Sequence, residues 1–179
     1  MRVSRTLAVL AVGAALAAGT SYAAAKPSAP SAPTAGSQLA QIRAATAAFH
    51  DLDAAKAAGW NVPFQDINGL SCIEDLSTPS QGGMGYHWVN PANIGSTDPA
   101  QPAAVIYAGK NKRLVGVEYL VPDPTGTTPM PMLNGQDFMF TPAGNRFLGP
   151  TAFWSLHVWA WDPSPSGIYS MWNPRISCP

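Results

Sequence analysis

Charged residues are scarce in this chain, at 11% of 179 residues, and lysine plus arginine (10) equal aspartate plus glutamate (10). Proteins that bind nucleic acid normally carry a basic excess or a basic stripe along one face. Neither is present, so the composition argues against nucleic acid as a partner.

Familiar catalytic signatures are also absent. The sequence has no GxSxG, no HExxH, no phosphate-binding P-loop and no GxGxxG after a predicted strand. Serine hydrolases with a nucleophile elbow, zincins and nucleotide-binding enzymes are therefore unsupported. A serine triad on another scaffold stays open, although nothing in the sequence indicates which serine would act.

Cysteine occurs only twice, as Cys72 and Cys178. In an exported chain an even number of cysteines most simply forms disulfides, and no CxxC spacing supports a thiolate metal site or a redox pair. We predict one disulfide between Cys72 and Cys178, which closes a long loop and stabilises the fold by about 4 kcal/mol.

Only one long apolar run is present, near the start of the chain. Arg2 and Arg5 precede it and small residues follow it in "SYAAAK", the pattern of a signal peptide over residues 1–25 with cleavage after Ala23 or Ala25. An uncleaved membrane anchor is the alternative, but the run falls short of the roughly 20 residues that span a bilayer. We predict a secreted or periplasmic protein with no membrane span in its mature chain.

Two segments of different character follow this leader. Residues 26–36, "KPSAPSAPTAG", form a Pro/Ala/Ser spacer that is too poor in large apolar groups to fold alone. Apolar residues then recur at helical spacing, which predicts a helix over residues 37–58 that Ser37 caps and Gly59 ends.

From Trp60 onwards, short apolar runs are broken by proline, glycine and asparagine, as is typical of antiparallel β structure. The predicted strands are residues 85–89, 103–108, 114–121, 137–140 and 153–161. The second and third flank "GKNKR" and predict a hairpin, whereas the proline-rich "PDPTGTTPMPMLNG" predicts a loop. We predict one compact domain over residues 37–179, mainly β (α+β), with the N-terminal helix packed on an antiparallel β sandwich or partly open barrel over residues 60–179.

Glu118 stands in the middle of an apolar strand, "LVGVEYLVP", and is one of only two glutamates in the chain. Strand alternation places it on one face with Leu114 and Gly116, and places Val115 and Val117 on the other. Burying an ionised carboxylate costs several kcal/mol unless a positive or hydrogen-bonding group meets it. Glu118 therefore needs a partner.

Two histidines occupy similar positions, His87 in "GYHWV" and His157 in "WSLHVWAW". Two imidazoles and one carboxylate form a complete set of protein ligands for an open metal site, as in zinc enzymes and in the facial triads of oxidoreductases. We predict that His87, Glu118 and His157 bind a divalent metal, zinc or copper in preference to iron or manganese. Such a site fits a small-molecule oxidoreductase or hydrolase.

Small residues lie two positions before each predicted ligand, namely Gly85, Gly116 and Ser155. Residues two apart share a face of a strand, so these positions predict a pocket beside the metal with room for water or a small molecule. Trp159 shares a face with His157 and is predicted to wall that pocket. Glycine in a strand also marks bulges, and this alternative stays open.

Met84 bears on the identity of the metal because thioether sulfur favours copper. In a regular strand Met84 and His87 lie on opposite faces, so Met84 reaches the site only if "GGMG" forms a bulge. Methionine is more often core filler.

Other functions are compatible with the same residues. Glu118 can pair with Arg113 or Arg146 while the two histidines donate to backbone carbonyls, as in a non-catalytic secreted ligand-binding or envelope protein. Alternatively, a buried Glu118 with a raised pKa is the catalytic general base of a metal-free enzyme. Whether the protein is an enzyme is left open by the sequence.

The segments "ATAAFHDLDAAKAAGW", "GGMGYHWVNP", "LVGVEYLVP", "LHVWAWDPSPSG" and "WNPRISC" together resemble a family of uncharacterised exported bacterial proteins. The likeness covers nearly all of the predicted mature chain and keeps the order of the segments. It implies secretion and a single compact domain. It transfers neither an activity nor a functional residue.

Overall fold

The structure, a computed structural model, describes residues 34–109 and 112–179. The predicted signal peptide (1–25) and most of the predicted spacer (26–36) lie outside these residues. Within the described part of the chain, no helix is long and apolar enough to cross a membrane.

The predicted N-terminal helix forms as two helices rather than one. The helical segments are α1 (Ala35–Thr46), a 3-10 turn (Ala47–His50) and α2 (Leu52–Ala57). The break lies at Asp51, whose backbone is extended and whose carboxylate caps α2 by accepting from the Asp53 amide at 2.9 Å. Asp51 thus begins a new helix instead of continuing the old one, which the apolar spacing does not reveal.

The ends of the helical region differ in how well they were predicted. Thr34, not Ser37, caps α1, because the Thr34 hydroxyl accepts from the Ser37 amide at 3.3 Å. Gly59 ends α2 as predicted. It has φ +108°, and the Trp60 amide donates to the Ala55 carbonyl at 3.0 Å, as in a Schellman motif.

An open antiparallel sheet forms the body of the molecule. Its strands, with two that form a separate pair, are β1 (Val62–Pro63), β2 (Cys72–Glu74), β3 (Gly83–Val89), β4 (Ala104–Ala108), β5 (Arg113–Pro122), β6 (Met132–Leu133), β7 (Gln136–Asp137), β8 (Met139–Thr141) and β9 (Phe153–Val158). The order is β1-β3-β4-β5-β9-β8, with β2 also paired to β3, and β6 pairs with β7. The mainly β prediction with N-terminal helical structure is confirmed.

Strands β3, β4, β5 and β9 match the predicted ones, and β4 and β5 form the predicted hairpin. The remaining differences are local. The segment 137–140 is divided between β7 and β8 at Phe138, and β6 lies in the stretch predicted as a loop. Strand β9 ends at Val158, so Trp159 lies beyond it.

The two faces of the sheet have different roles. One face packs against the helical region and forms the main core, which includes Ile42, Phe49, Trp60, Val105, Tyr107, Val117, Tyr119, Leu156 and Val158. Strand alternation directs the intervening residues, Glu118 among them, to the opposite face. The ionisable residues of the apolar strands therefore lie on the face away from the helices.

A bulge in the β4–β5 hairpin corrects the predicted alternation of its first residues. Ile106 pairs with Gly116 but Tyr107 pairs with Leu114, so Val115 has no direct partner. Leu114 consequently joins the main core, and Val115 packs with Ile106 in a smaller cluster. Each of these two side chains therefore lies on the face of the sheet opposite to the one that strict alternation predicts.

The predicted disulfide is present between Cys72 and Cys178, whose Cα atoms are 5.7 Å apart. It connects strand β2 to the segment that follows Asn173, which itself pairs with Gly83 of β3. The last residues of the chain are thereby fixed against one edge of the sheet.

Candidate metal centre

Three strands of the sheet bring the predicted ligands together. His87 lies on β3, Glu118 on β5 and His157 on β9. Glu118 pairs directly with His157 across β5 and β9, and on its other side it pairs with Ala104 of β4. His87 pairs with Ile106 of β4, so it approaches Glu118 diagonally across that intervening strand, where the small Ala104 lines the same cavity. Sequence reasoning did not identify Ala104 as part of the site.

The donor atoms converge on one point. His87 Nε2 lies 3.5 Å from one carboxylate oxygen of Glu118, and His157 Nε2 lies 3.8 Å from the other. One ligand atom from each residue can be chosen so that all lie within 4.8 Å of one another. Ligands at roughly 2 Å from a tetrahedral ion are about 3.3 Å apart, so binding requires the widest pair to close by no more than about 1.5 Å. The cluster can therefore hold a metal ion.

Neither arginine considered as an alternative partner reaches Glu118. Arg113 pairs with Asp162 at 2.8 Å, and Arg146 pairs with Asp66 at 3.1 Å. Within the described residues, no lysine or arginine forms an ion pair with Glu118. The Glu118 side chain is only 13% exposed, and its nearest ionisable groups are the two imidazoles.

Burial shifts the pKa of each of the three residues in the direction that favours its neutral form. It lowers the pKa of His87 to about 4, although the Gly85 backbone raises it in part. Burial, together with the neighbouring His87, lowers the pKa of His157 to about 3. Burial raises the pKa of Glu118 to about 8. At neutral pH the metal-free imidazoles thus keep their free lone pairs, the form that binds metals.

One buried nitrogen supports metal binding independently of these pKa values. His157 Nε2 points toward Glu118 and has no hydrogen-bond partner among the described residues. Leaving a buried polar atom unpaired costs about 1–3 kcal/mol, and such atoms are uncommon in folded proteins. A cation between His157 and Glu118 would satisfy the lone pair and the carboxylate together.

The cluster faces a cavity of about 430 Å³ on the outer face of the sheet. Its lining combines sheet residues with the segments around Phe64, Ile94 and Phe147. Ser155 lines this cavity as predicted. Phe64 also packs edge-on against His87, with ring centroids 6.0 Å apart, a contact that no pattern in the sequence predicts.

The predicted roles of Gly85 and Gly116 are wrong, because the cavity lining includes neither residue within the described chain. A Cβ at Gly85 would lie 2.5 Å from the Tyr107 carbonyl oxygen, and its φ is +89°. A Cβ at Gly116 would lie 2.7 Å from the Val158 carbonyl oxygen. These glycines permit close approach of backbones, and both pair with a residue at a register shift, as in the bulge alternative that the sequence left open.

Trp159 packs against His157 and, contrary to the prediction, is not among the described residues that line the cavity. Its ring stacks on that of His157, with centroids 6.1 Å apart and an interplanar angle of 22°. It is fully buried, and its Nε1 donates to the Ser170 carbonyl at 2.7 Å. Trp159 therefore fixes the orientation of the His157 ring.

The bulge at "GGMG" that Met84 needs in order to reach the site is present. Ile73 pairs with Gly85 while Glu74 pairs with Gly83, so Met84 has no direct partner on β2. Its side chain lines the cavity, as does that of Met171. His50, the third histidine of the chain, is exposed and packs on Trp161 at 4.4 Å between ring centroids.

Comparisons of the chain with protein-family models, with curated proteins and with solved structures found no match. What the site does is therefore inferred from its own geometry and chemistry. The resemblance to exported bacterial proteins stays a prediction.

Proposed function

We propose that the protein is exported and binds one divalent metal ion through His87, Glu118 and His157. The observation that carries the proposal is a buried carboxylate that faces two neutral imidazoles and no cationic side chain among the described residues. Without a metal Glu118 is a buried acid beside two imidazoles with free lone pairs, and a divalent metal would replace its proton and bind all three residues at once.

Three protein ligands leave at least one coordination position for water or a substrate. The three residues line the 430 Å³ cavity, so an ion held by them would be accessible to a small molecule from that side. A metal at this point would supply Lewis-acid chemistry or activate a bound water or dioxygen. An oxidoreductase or a hydrolase that acts on a small molecule is the activity that fits this arrangement.

Zinc and copper are the metals we propose. Imidazole and carboxylate suit both, and the thioethers of Met84 and Met171 on the same cavity wall favour copper. The Cys72–Cys178 disulfide supports export, because disulfides persist mainly outside the reducing cytosol.

A second candidate is a metal-free enzyme in which Glu118 is the general base. Its pKa near 8 lies in the range that suits a base at neutral pH, and Glu118 lines the cavity. This candidate predicts activity after complete removal of metal, whereas the proposed metal site predicts its loss.

Elemental analysis of the purified, dialysed protein tests the proposal. We expect close to one zinc or copper per chain, and an increase in Tm when metal is added to the stripped protein. A His87→Ala, His157→Ala double variant should lose both effects. His50→Ala, which removes the exposed histidine, is the matched control and should retain both. Absence of stoichiometric metal and of any rise in Tm in the unaltered protein would exclude the metal site.

A further inference from the structure

The cavity beside the cluster is apolar over most of its surface. Its walls include Phe64, Ile94, Leu120, Phe147, Leu148 and Phe153. Its volume of about 430 Å³ falls in the range of roughly 300–1,000 Å³ that holds small-molecule ligands. Apolar cavities hold water poorly, so an apolar ligand gains about 25 cal/mol for each Å² that it removes from solvent.

Charge in the cavity is restricted to the cluster itself. Neither lysine nor arginine lines the cavity in the described part of the chain, and Glu118 is its one acidic residue. An anionic ligand would find no cationic side chain, and burying its charge unpaired is costly. The lining therefore selects against an anionic ligand.

The walls of the cavity are held in place by a partly buried ion pair. Arg146 donates to Asp66 from Nε at 3.1 Å and to the Glu74 carbonyl from Nη1 at 3.0 Å. The Ile67 amide donates to the Arg146 carbonyl at 3.0 Å. These bonds tie the segment that follows β1 to the segment that contains Phe147. The cavity is thus formed before a ligand arrives, which lowers the entropic cost of binding.

We propose that this cavity binds an uncharged, predominantly apolar small molecule, with its single polar group directed at His87, Glu118 and His157. A ring or branched hydrocarbon with one hydroxyl or carbonyl group has this chemistry. The direction of the polar group toward a metal rests on the proposed function. Binding of the apolar body does not, because it depends only on the walls.

A pair of fluorescent probes with the same ring system tests the proposal. N-phenyl-1-naphthylamine is uncharged, and 8-anilino-1-naphthalenesulfonate adds one negative charge. Both are titrated into the purified protein, once after dialysis against EDTA and once after loading with zinc. We expect one site per chain for the uncharged probe in both forms. In the metal-free form it should bind at least tenfold more tightly than the anionic probe.

Two variants of the cavity lining, called rim variants here, locate the site where the probe binds. Leu148→Trp and Ile94→Trp each add bulk at the cavity wall and should weaken binding of the uncharged probe at least tenfold. Ile94 is 41% exposed, so its variant keeps the test valid if the change at Leu148 disturbs folding. Leu76→Trp is the matched control, because Leu76 is exposed and outside the lining, and it should leave the affinity within twofold.

The proposal is overturned if the two probes bind the metal-free protein equally well, or if neither rim variant weakens binding. The cavity proposal and the metal-site proposal can also be rejected independently of each other. Binding of the uncharged probe by a protein that takes up no metal would retain the cavity proposal and reject the metal site. Uptake of metal without probe binding would do the reverse.

Discussion

Glu118 faces two buried imidazoles and no positive side chain of the described residues, and this one residue determines most of what the site can do. Without a metal it is most stable as a neutral acid, because burial raises its pKa to about 8. With a metal it becomes the anionic ligand. The protonation of Glu118 therefore links pH, metal binding and stability.

We predict that the metal-free protein loses stability between about pH 6.5 and 8. Glu118 has a pKa near 8 in the folded protein against an ordinary glutamate value of 4.5, so its contribution is complete below pH 4.5 and is lost as the pH rises to about 8. The histidines act oppositely, since their pKa values are lowered from 6.5 and their contribution is already complete above that pH. Each pH unit in this window lowers the free energy of unfolding by up to about 1.36 kcal/mol, so the total loss is about 2 kcal/mol at most. Urea denaturation at several pH values measures it.

A Glu118→Gln variant is the control for this prediction, because its side chain does not titrate. Its stability should be flat over the same window, and zinc should flatten the curve of the unaltered protein. An equal loss in the variant would assign the effect to another group.

At the scale of elements, the strands that carry the site were predictable but their arrangement was not. Alternation in "LVGVEYLVP" correctly separated Glu118 from Val117, because those residues lie in a regular part of β5. The meeting of His87 with Glu118 depends on the order β3-β4-β5, and that order is a long-range property. Gly85 and Gly116 were misassigned because only the fold shows which backbone approaches them.

We predict that Gly116→Ala destabilises the protein by about 1–3 kcal/mol and weakens metal binding. The new Cβ would lie 2.7 Å from the Val158 carbonyl oxygen, a backbone atom directly after His157. Strands β5 and β9 must therefore shift at the site. Urea denaturation and zinc titration measure the two effects.

Gly36→Ala is the matched substitution in α1. The nearest atom to the new Cβ at Gly36 is Thr34 Oγ1, at 3.9 Å. Alanine also favours helix over glycine by up to about 1 kcal/mol, so the free energy of unfolding should stay the same or rise. If Gly116→Ala behaves like Gly36→Ala, the close approach of β5 and β9 has no energetic importance.

At the scale of the whole molecule, long-range links hold the outer face of the sheet together. The Cys72–Cys178 disulfide spans 106 residues, and the Asp66–Arg146 pair joins segments 80 residues apart. Ile73, next to Cys72, lines the cavity. The side of the sheet opposite α1 and α2 is therefore stabilised by these covalent and ionic links.

We predict that the Cys72→Ser, Cys178→Ser double variant loses about 2–5 kcal/mol of unfolding free energy, because the disulfide restricts a long loop in the unfolded chain. Chemical denaturation of both proteins, with and without reductant, measures this loss. Reductant should lower the stability of the unaltered protein alone. A change below about 0.5 kcal/mol would show that the non-covalent contacts of the last segment suffice.

The most direct test of the metal site is anomalous diffraction at the zinc edge from crystals of the zinc-loaded protein. We predict one strong peak, roughly 2 Å from His87 Nε2, from His157 Nε2 and from a carboxylate oxygen of Glu118. A strong peak only elsewhere, such as beside the exposed His50, with none between these three residues, would contradict the proposed site.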